Sequence, residues 1–197
     1  MREDVILNQV QTKNMVKEKM EVSQGKLAIG YRSGIKHSDD LFHALVIGNL
    51  IFGGDATSRL FKNVREKENL AYSIGSNLYK YKSIIIADAG INVKDLNKTI
   101  DIITKELEDI KNGNILDEEI KDAKENIKSS IESIDDSQFG ISEVIFGKTL
   151  TNDFSDMNVL LEKYMSVTKD EIIKAMNTLS MDTIYCLVDN DNEAEVK

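Results

Sequence analysis

An α+β layer fold, with helices packed on one face of a mainly antiparallel sheet, is what the order of patterns in this chain predicts. Three observations carry that prediction. Two β-like runs, "LAYSIGSNLYKYK" and "SIIIADAGINV", adjoin around Lys82-Ser83 and read as a hairpin, which is antiparallel by construction. Segments with apolar residues at every third and fourth position follow one another in a block. A short apolar run, "TIYCLVD", then returns as a last strand.

The elements can be justified in chain order. Lys13–Glu21 mixes apolar and charged residues in short alternation, which fits a strand. "GKLAIGYRSG" reads as a clearer one, because Leu27, Ile29 and Tyr31 share a face at the period of two. "SDDLFHALVIGNLIFGG" opens with Ser38 and two aspartates, good helix-start residues, and is apolar nearly all round. That composition predicts a helix buried on most sides, ended by Gly53-Gly54. A second helix over 57–68 has Leu60, Phe61 and Val64 as its stripe.

In the second hairpin run, Ile85, Ala87, Ala89, Ile91 and Val93 line one face, which needs a helical cover. Leu96, Ile100, Ile103, Leu107 and Ile110 supply one. After the break "KNGN", Leu116, Ile120, Ala123, Ile127, Ile131 and Ile134 repeat the pattern, with Asp117, Glu118 and Glu119 at the positive end of the helix dipole. Helical patterns continue over 137–150, 156–165 and 168–179; the last opens with a capping box, Thr168 and Glu171. No proline, glycine-rich spacer or repeat marks a boundary, so 13–189 reads as one domain between loose tails at 1–12 and 190–197.

Composition excludes several function classes. The chain is 41% hydrophobic and 30% charged, enough to bury a core and stay soluble. No apolar run approaches the ~18 residues of a membrane span, and "MREDVILNQV" carries acids where a signal peptide needs a basic start. A lone cysteine, Cys186, rules out an internal disulfide framework and points to a cytoplasmic setting. The net charge of −9 argues against nucleic acid, whose binding depends on basic side chains neutralising phosphates; a basic or neutral peptide is more compatible.

The residues alone offer no catalytic centre. His37 and His43 stand six apart and do not share a helix face, and with Asp39 or Asp40 they make a poor zinc site, which needs three well-placed ligands. Cys186 lies in an apolar strand and reads as core. Neither G-x-S-x-G nor a phosphate loop is present. The pairs Asp39-Asp40 and Asp135-Asp136 read as caps or solvated acids.

One stretch carries more. "SRLFKNVREKENLAYSIGS", Ser58–Ser76, resembles a segment of the zinc peptidases that include insulinase, pitrilysin and the mitochondrial processing peptidase, in the carboxy-terminal half of a subunit. The similarity extends from about Val22 to Leu179 and includes the Gly-Gly turn, the hairpin and "DEEIKDAKENIKSS". The resemblance implies two homologous α+β halves closing on an extended peptide. Zinc is held by an H-x-x-E-H motif in the amino-terminal half, and this chain has no such motif. It therefore implies no catalytic and no metal-binding residue here, with zinc in a companion half. It also implies that Arg65 and Tyr72, the R-x6-Y pair, reach across the chamber to the substrate. On spacing alone, Arg65 is one more solvated charge and Tyr72, alternating with Ile74, a core residue. The expected role is the substrate-side half of a zinc endopeptidase; the alternatives are a non-catalytic structural or peptide-binding partner and an unrelated acidic domain.

Overall fold

The computed structural model describes residues 13–190; the predicted tails at 1–12 and 190–197 lie outside the described residues, Asn190 excepted. Among the described residues five strands form one sheet: β1 (Asn14–Met20), β2 (Gly25–Arg32), β3 (Ala71–Tyr79), β4 (Ile84–Ile91) and β5 (Ser180–Asp189). Their spatial order is β1-β5-β2-β4-β3. Every pairing is antiparallel except β1 with β5. The helices are α1 (Phe42–Asn49), α2 (Leu96–Lys111), α3 (Asp117–Glu132), α4 (Gln138–Thr151), α5 (Met157–Ser166) and α6 (Lys169–Asn177). The α+β class predicted from the sequence is the class observed.

The period of two places the core. Leu27, Ile29 and Tyr31 of β2, Ile85, Ala87, Ala89 and Ile91 of β4, and Ile184, Cys186 and Val188 of β5 are all buried. They meet Ala44, Leu45 and Ile47 of α1, Ile103, Leu107 and Ile110 of α2, and Ile172, Ala175 and Met176 of α6. On the opposite face Lys26, Asn77 and Asp88 are exposed and Ala28, Ile86 and Leu187 only half-buried, so helices cover a single face. Thr168 and Glu171 form the predicted capping box at the start of α6.

Several expectations are corrected. The first helix starts at Phe42 instead of Ser38, because the Asp39 carboxylate accepts from the Lys36 N–H at 2.8 Å and holds 36–39 as a turn. Leu116 is 65% exposed and does not belong to the core. Ile120 and Ile131 are half-buried, so the α3 stripe is only partly covered.

Candidate functional site

The site begins where α1 meets the edge of the sheet. Beyond Asn49 the helix loosens into a π-wound turn, Leu50–Gly54. A Cβ on Gly53 would stand 2.8 Å from the backbone nitrogen of Ser76 and 2.7 Å from its hydroxyl, so only glycine allows this approach to β3. The contact is stitched by buried polar groups. The Ser76 hydroxyl donates to Asn49 Oδ1 at 2.8 Å, and the Asn49 amide donates to the Ser76 carbonyl at 3.4 Å. These bonds satisfy groups that would otherwise be costly to bury.

The next helical segment is π-wound over Phe61–Lys67. π-winding is rare and tends to occur at functional sites. Leu60 and Val64 anchor the inner side of the segment. Its flank is fixed by a buried ion network. Arg59 Nε donates to Glu119 Oε1 at 2.6 Å and Nη2 donates to Glu119 Oε2 at 2.7 Å; Nη2 also donates to the Asn114 carbonyl. Asn63 donates to Glu106 Oε1 at 2.8 Å, and Arg59 Nη1 lies 4.0 Å from Glu106 Oε2. Burial pushes the carboxyl of Glu106 above its ordinary range despite Arg59 and Asn63. Burial acts the same way on Glu119, but the Arg59 bonds and charge and the Leu116 N–H hold that carboxyl below it. The network ties this segment to α2 and α3 and leaves the opposite side free.

Arg65 is on the free side. It is exposed, with its guanidinium carbon 4.8 Å from the centre of the Phe61 ring, a cation–π contact that limits its rotamers. The chain then reverses in one tight turn. Asn69 adopts the left-handed conformation (φ 52°), and the Leu70 N–H closes onto the Val64 carbonyl at 3.0 Å. Asparagine tolerates that conformation better than most residues. Leu70 and Ala71 are buried, and Tyr72 comes next.

Tyr72 is 67% exposed, so it does not fill the core as its alternation with Ile74 suggested. The register explains why. Ala71 pairs with Ile91 and Ser73 with Gly90, so Tyr72 is the extra residue of a β-bulge. A bulge re-aims one side chain out of the alternation. Arg65 and Tyr72 thus flank one hydrogen-bonded turn at the start of β3, an edge strand of the sheet. The supporting residues Arg59, Asn63, Glu106 and Glu119 were not anticipated. The one local clue was Asn69, an asparagine just past a helix end.

The other candidates are packed against neighbouring side chains. His37 packs tilted against Phe42 at 4.4 Å and stacks with Tyr81 at 5.7 Å, and His43 meets Tyr164 edge-on at 4.8 Å. Among the described residues no group of three or more His, Cys, Asp or Glu side chains is placed to hold a metal. Cys186 is buried, and burial pushes its thiol up, away from the reactive thiolate. No described helix is long and apolar enough to cross a membrane.

Residues 2–127 match the family described as "Peptidase M16 inactive domain". The chain belongs to the peptidase M16 inactive-domain family. The M16 domain is 35% identical over 178 residues to the "Probable inactive metalloprotease YmfF" of Bacillus subtilis (strain 168), covering 90% of this chain and 42% of that protein. It is 27% identical over 174 residues to the "Uncharacterized zinc protease YmxG" of the same organism, covering 84% of this chain and 38% of that one. The M16 domain therefore spans about two fifths of the length of the curated relatives it matches. Among solved structures, a conserved protein from Enterococcus faecalis V583 superposes with a TM-score of 0.88 at 28% identity, covering 95% of this chain and 44% of that one. The peptidase M16 inactive domain from Pseudomonas fluorescens shares the fold, with a TM-score of 0.80 at 19% identity over 93% of this chain and 45% of that one.

Proposed function

We propose that this domain is the substrate-side half of a two-half peptidase chamber, in which Arg65 and Tyr72 hold an extended peptide against a zinc-binding companion half. The observation that carries the reading is Tyr72. It is a two-thirds exposed tyrosine that a bulge turns out of the strand, one rigid turn from an exposed arginine. What sets Tyr72 apart from other exposed aromatics is the bulge, a device that re-aims a side chain beside functional sites.

The chemistry follows from the donors. An arginine presents a planar fork suited to a peptide carbonyl. A tyrosine hydroxyl can donate to the oxygen that gains charge as water attacks the amide. The free edge of β3 offers backbone groups to which an extended peptide can add as another strand. Zinc would supply the activated water, held by an H-x-x-E-H motif in the companion half. The histidines of this chain do not fit that role, being engaged in aromatic packing. The contribution of this chain is to bind, orient and stabilise.

A second reading is favoured by one specific observation: the 35%-identical relative bears the name of an inactive metalloprotease. In that case the same surface holds peptides without cleavage. A quenched-fluorescence peptide assay separates the two. The chain is mixed with a zinc-binding half of the family, with and without chelator. Cleavage only in the mixture, abolished by chelator, supports the first reading. Tyr72→Phe is then expected to lower kcat about 100-fold, the cost of one oxyanion donor, and Arg65→Ala to raise KM. Cleavage unchanged by both substitutions would remove Arg65 and Tyr72 from the proposal. Binding without cleavage, by fluorescence anisotropy, would establish the second reading.

A further inference from the structure

Neither the core nor the peptide-holding surface uses the outer side of α4. The side of this helix turned toward the body is made of small or half-buried residues, Gly140, Val144, Gly147 and Thr151. A Cβ at Gly147 would stand 2.7 Å from the Tyr81 hydroxyl. The large apolar side chains point away: Phe139 is 75% exposed, Phe146 60%, Ile145 59% and Leu150 51%. Small inside and large outside is the reverse of an ordinary surface helix. Phe139, Phe146 and Leu150 recur at intervals of seven and four, which aligns them in one stripe. Ile141 and Ile145 flank it, and exposed Phe154 extends it beyond the helix end. Of the two charges of α4, exposed Glu143 falls on the same line, four residues after Phe139 and three before Phe146, while half-buried Lys148 is turned back to donate to the Ser155 carbonyl at 2.7 Å.

We propose that this face is a self-association surface on which a second copy of the chain packs, α4 antiparallel to α4 about a two-fold axis near the middle of the helix. The area argues for it. A fully buried aromatic ring covers roughly 200 Å², so the three exposed phenylalanines offer on the order of 400 Å². The exposed aliphatic side chains add about 150 Å² at roughly 100 Å² per full side chain. A symmetric pair would bury about 1,100 Å², enough to clear the ~1,000 Å² threshold for a specific interface. A two-fold contact must be self-complementary, and the apolar ends of the stripe are: antiparallel pairing sets Phe139 of each copy beside Leu150 of the other, and the two Phe146 rings within one helical turn of each other, each across from the exposed Glu143 of the other copy, whose carboxylate reaches the edge of the contact. The surface is also separate from the candidate peptide site. α4 rests on Tyr81, beyond the hairpin end of β3, while Tyr72 begins the same strand seven residues before Tyr79, roughly 23 Å away at ~3.3 Å per residue. The inference therefore stands whether or not Arg65 and Tyr72 contact peptide.

Sedimentation velocity on the full chain, from low to high micromolar concentration, tests it. A concentration-dependent dimer is expected. Phe146→Glu should raise its Kd by at least ~30-fold, the effect of losing a central aromatic anchor. Far-UV circular dichroism, and Tm measured at concentrations below the wild-type dimer Kd, should stay unchanged, since Phe146 is not in the core. Phe146→Cys should oxidise to a covalent dimer, with Cys186 buried and out of reach. A monomer at every concentration would overturn the proposal. So would a dimer indifferent to Phe146→Glu, or a Phe146-dependent complex formed only with a zinc-binding half.

Discussion

Replacing Arg59 by methionine keeps most of the buried side-chain volume but removes the cation that serves two carboxylates. The side chains of Arg59, Glu119 and Glu106 are 11%, 18% and 10% exposed, so water reaches them poorly. Removing one partner of a buried pair costs about 3–5 kcal/mol because a charge is left uncompensated. Some solvent access and the remaining Leu116 and Asn63 bonds put Arg59→Met near the lower end, about 3 kcal/mol. For a domain of this size each kcal/mol shifts Tm by ~2–4 °C, so a fall of about 6–12 °C is expected by calorimetry at neutral pH. The pH dependence adds a signed check. Glu119, held below its ordinary range in the folded protein, contributes stability above the unfolded carboxyl pKa of about 4.3 and loses it as pH falls through the folded value. In Arg59→Met the stranded carboxylates can relieve the cost by protonating. The gap between wild type and variant should therefore narrow toward pH 4, and Glu119→Gln added to Arg59→Met should recover part of the loss. A Tm within 2 °C of wild type, or a gap that neither narrows nor is rescued, would refute the reasoning.

Other outcomes follow from the same structure. Gly53→Ala forces a methyl onto Ser76 and should cost ~1–3 kcal/mol by overpacking, read as a lower denaturation midpoint. Asn69→Val places a β-branched residue at φ 52° and should cost ~1–2 kcal/mol, while Asn69→Gly should be nearly neutral. His43 is held below its ordinary pKa by burial first, then by Lys163 and His37. A neutral folded histidine contributes stability above the unfolded pKa of about 6.5 that is lost as pH falls from there through the folded value. His43→Phe should flatten that decline in urea titrations run from pH 7 to pH 5. Thr168→Ala should cost ~1 kcal/mol through loss of the α6 cap.

Much of this arrangement was legible in the sequence because it rests on periodicity. The alternation in β4 and the 3.6-residue stripe of α2 each name a buried face, and the Thr168–Glu171 spacing names a helix start. What escaped depends on pairing between distant segments. Tyr72 reads as core until the register with β4 makes it the bulged residue. Arg59 reads as a surface charge until α3 brings Glu119 to it from sixty residues away. The π-winding of Phe61–Lys67 has no compositional signature. The segment is closed by the bond from the Leu70 N–H to the Val64 carbonyl, with Leu70 buried in the core, a contact set by tertiary packing. The outward phenylalanines of α4 satisfy a helical pattern without saying which side faces inward; Gly147 against Tyr81 decides that.

The position of β5 has a consequence for how the chain acquires its shape. The last strand lies inside the sheet, between β1 and β2, and is the neighbour through which β1 is attached. During synthesis, a nascent chain could form the β2–β4–β3 meander and much of the helical layer early, since those contacts close over modest loops. The β1–β5 pairing cannot form until more than 150 further residues have left the ribosome. Closing so long a loop is slow, and an unpaired strand is a template for aggregation meanwhile. The alternation of lysine and glutamate in β1, Lys17-Glu18-Lys19, is the kind of charge pattern that discourages an unpaired strand from aggregating.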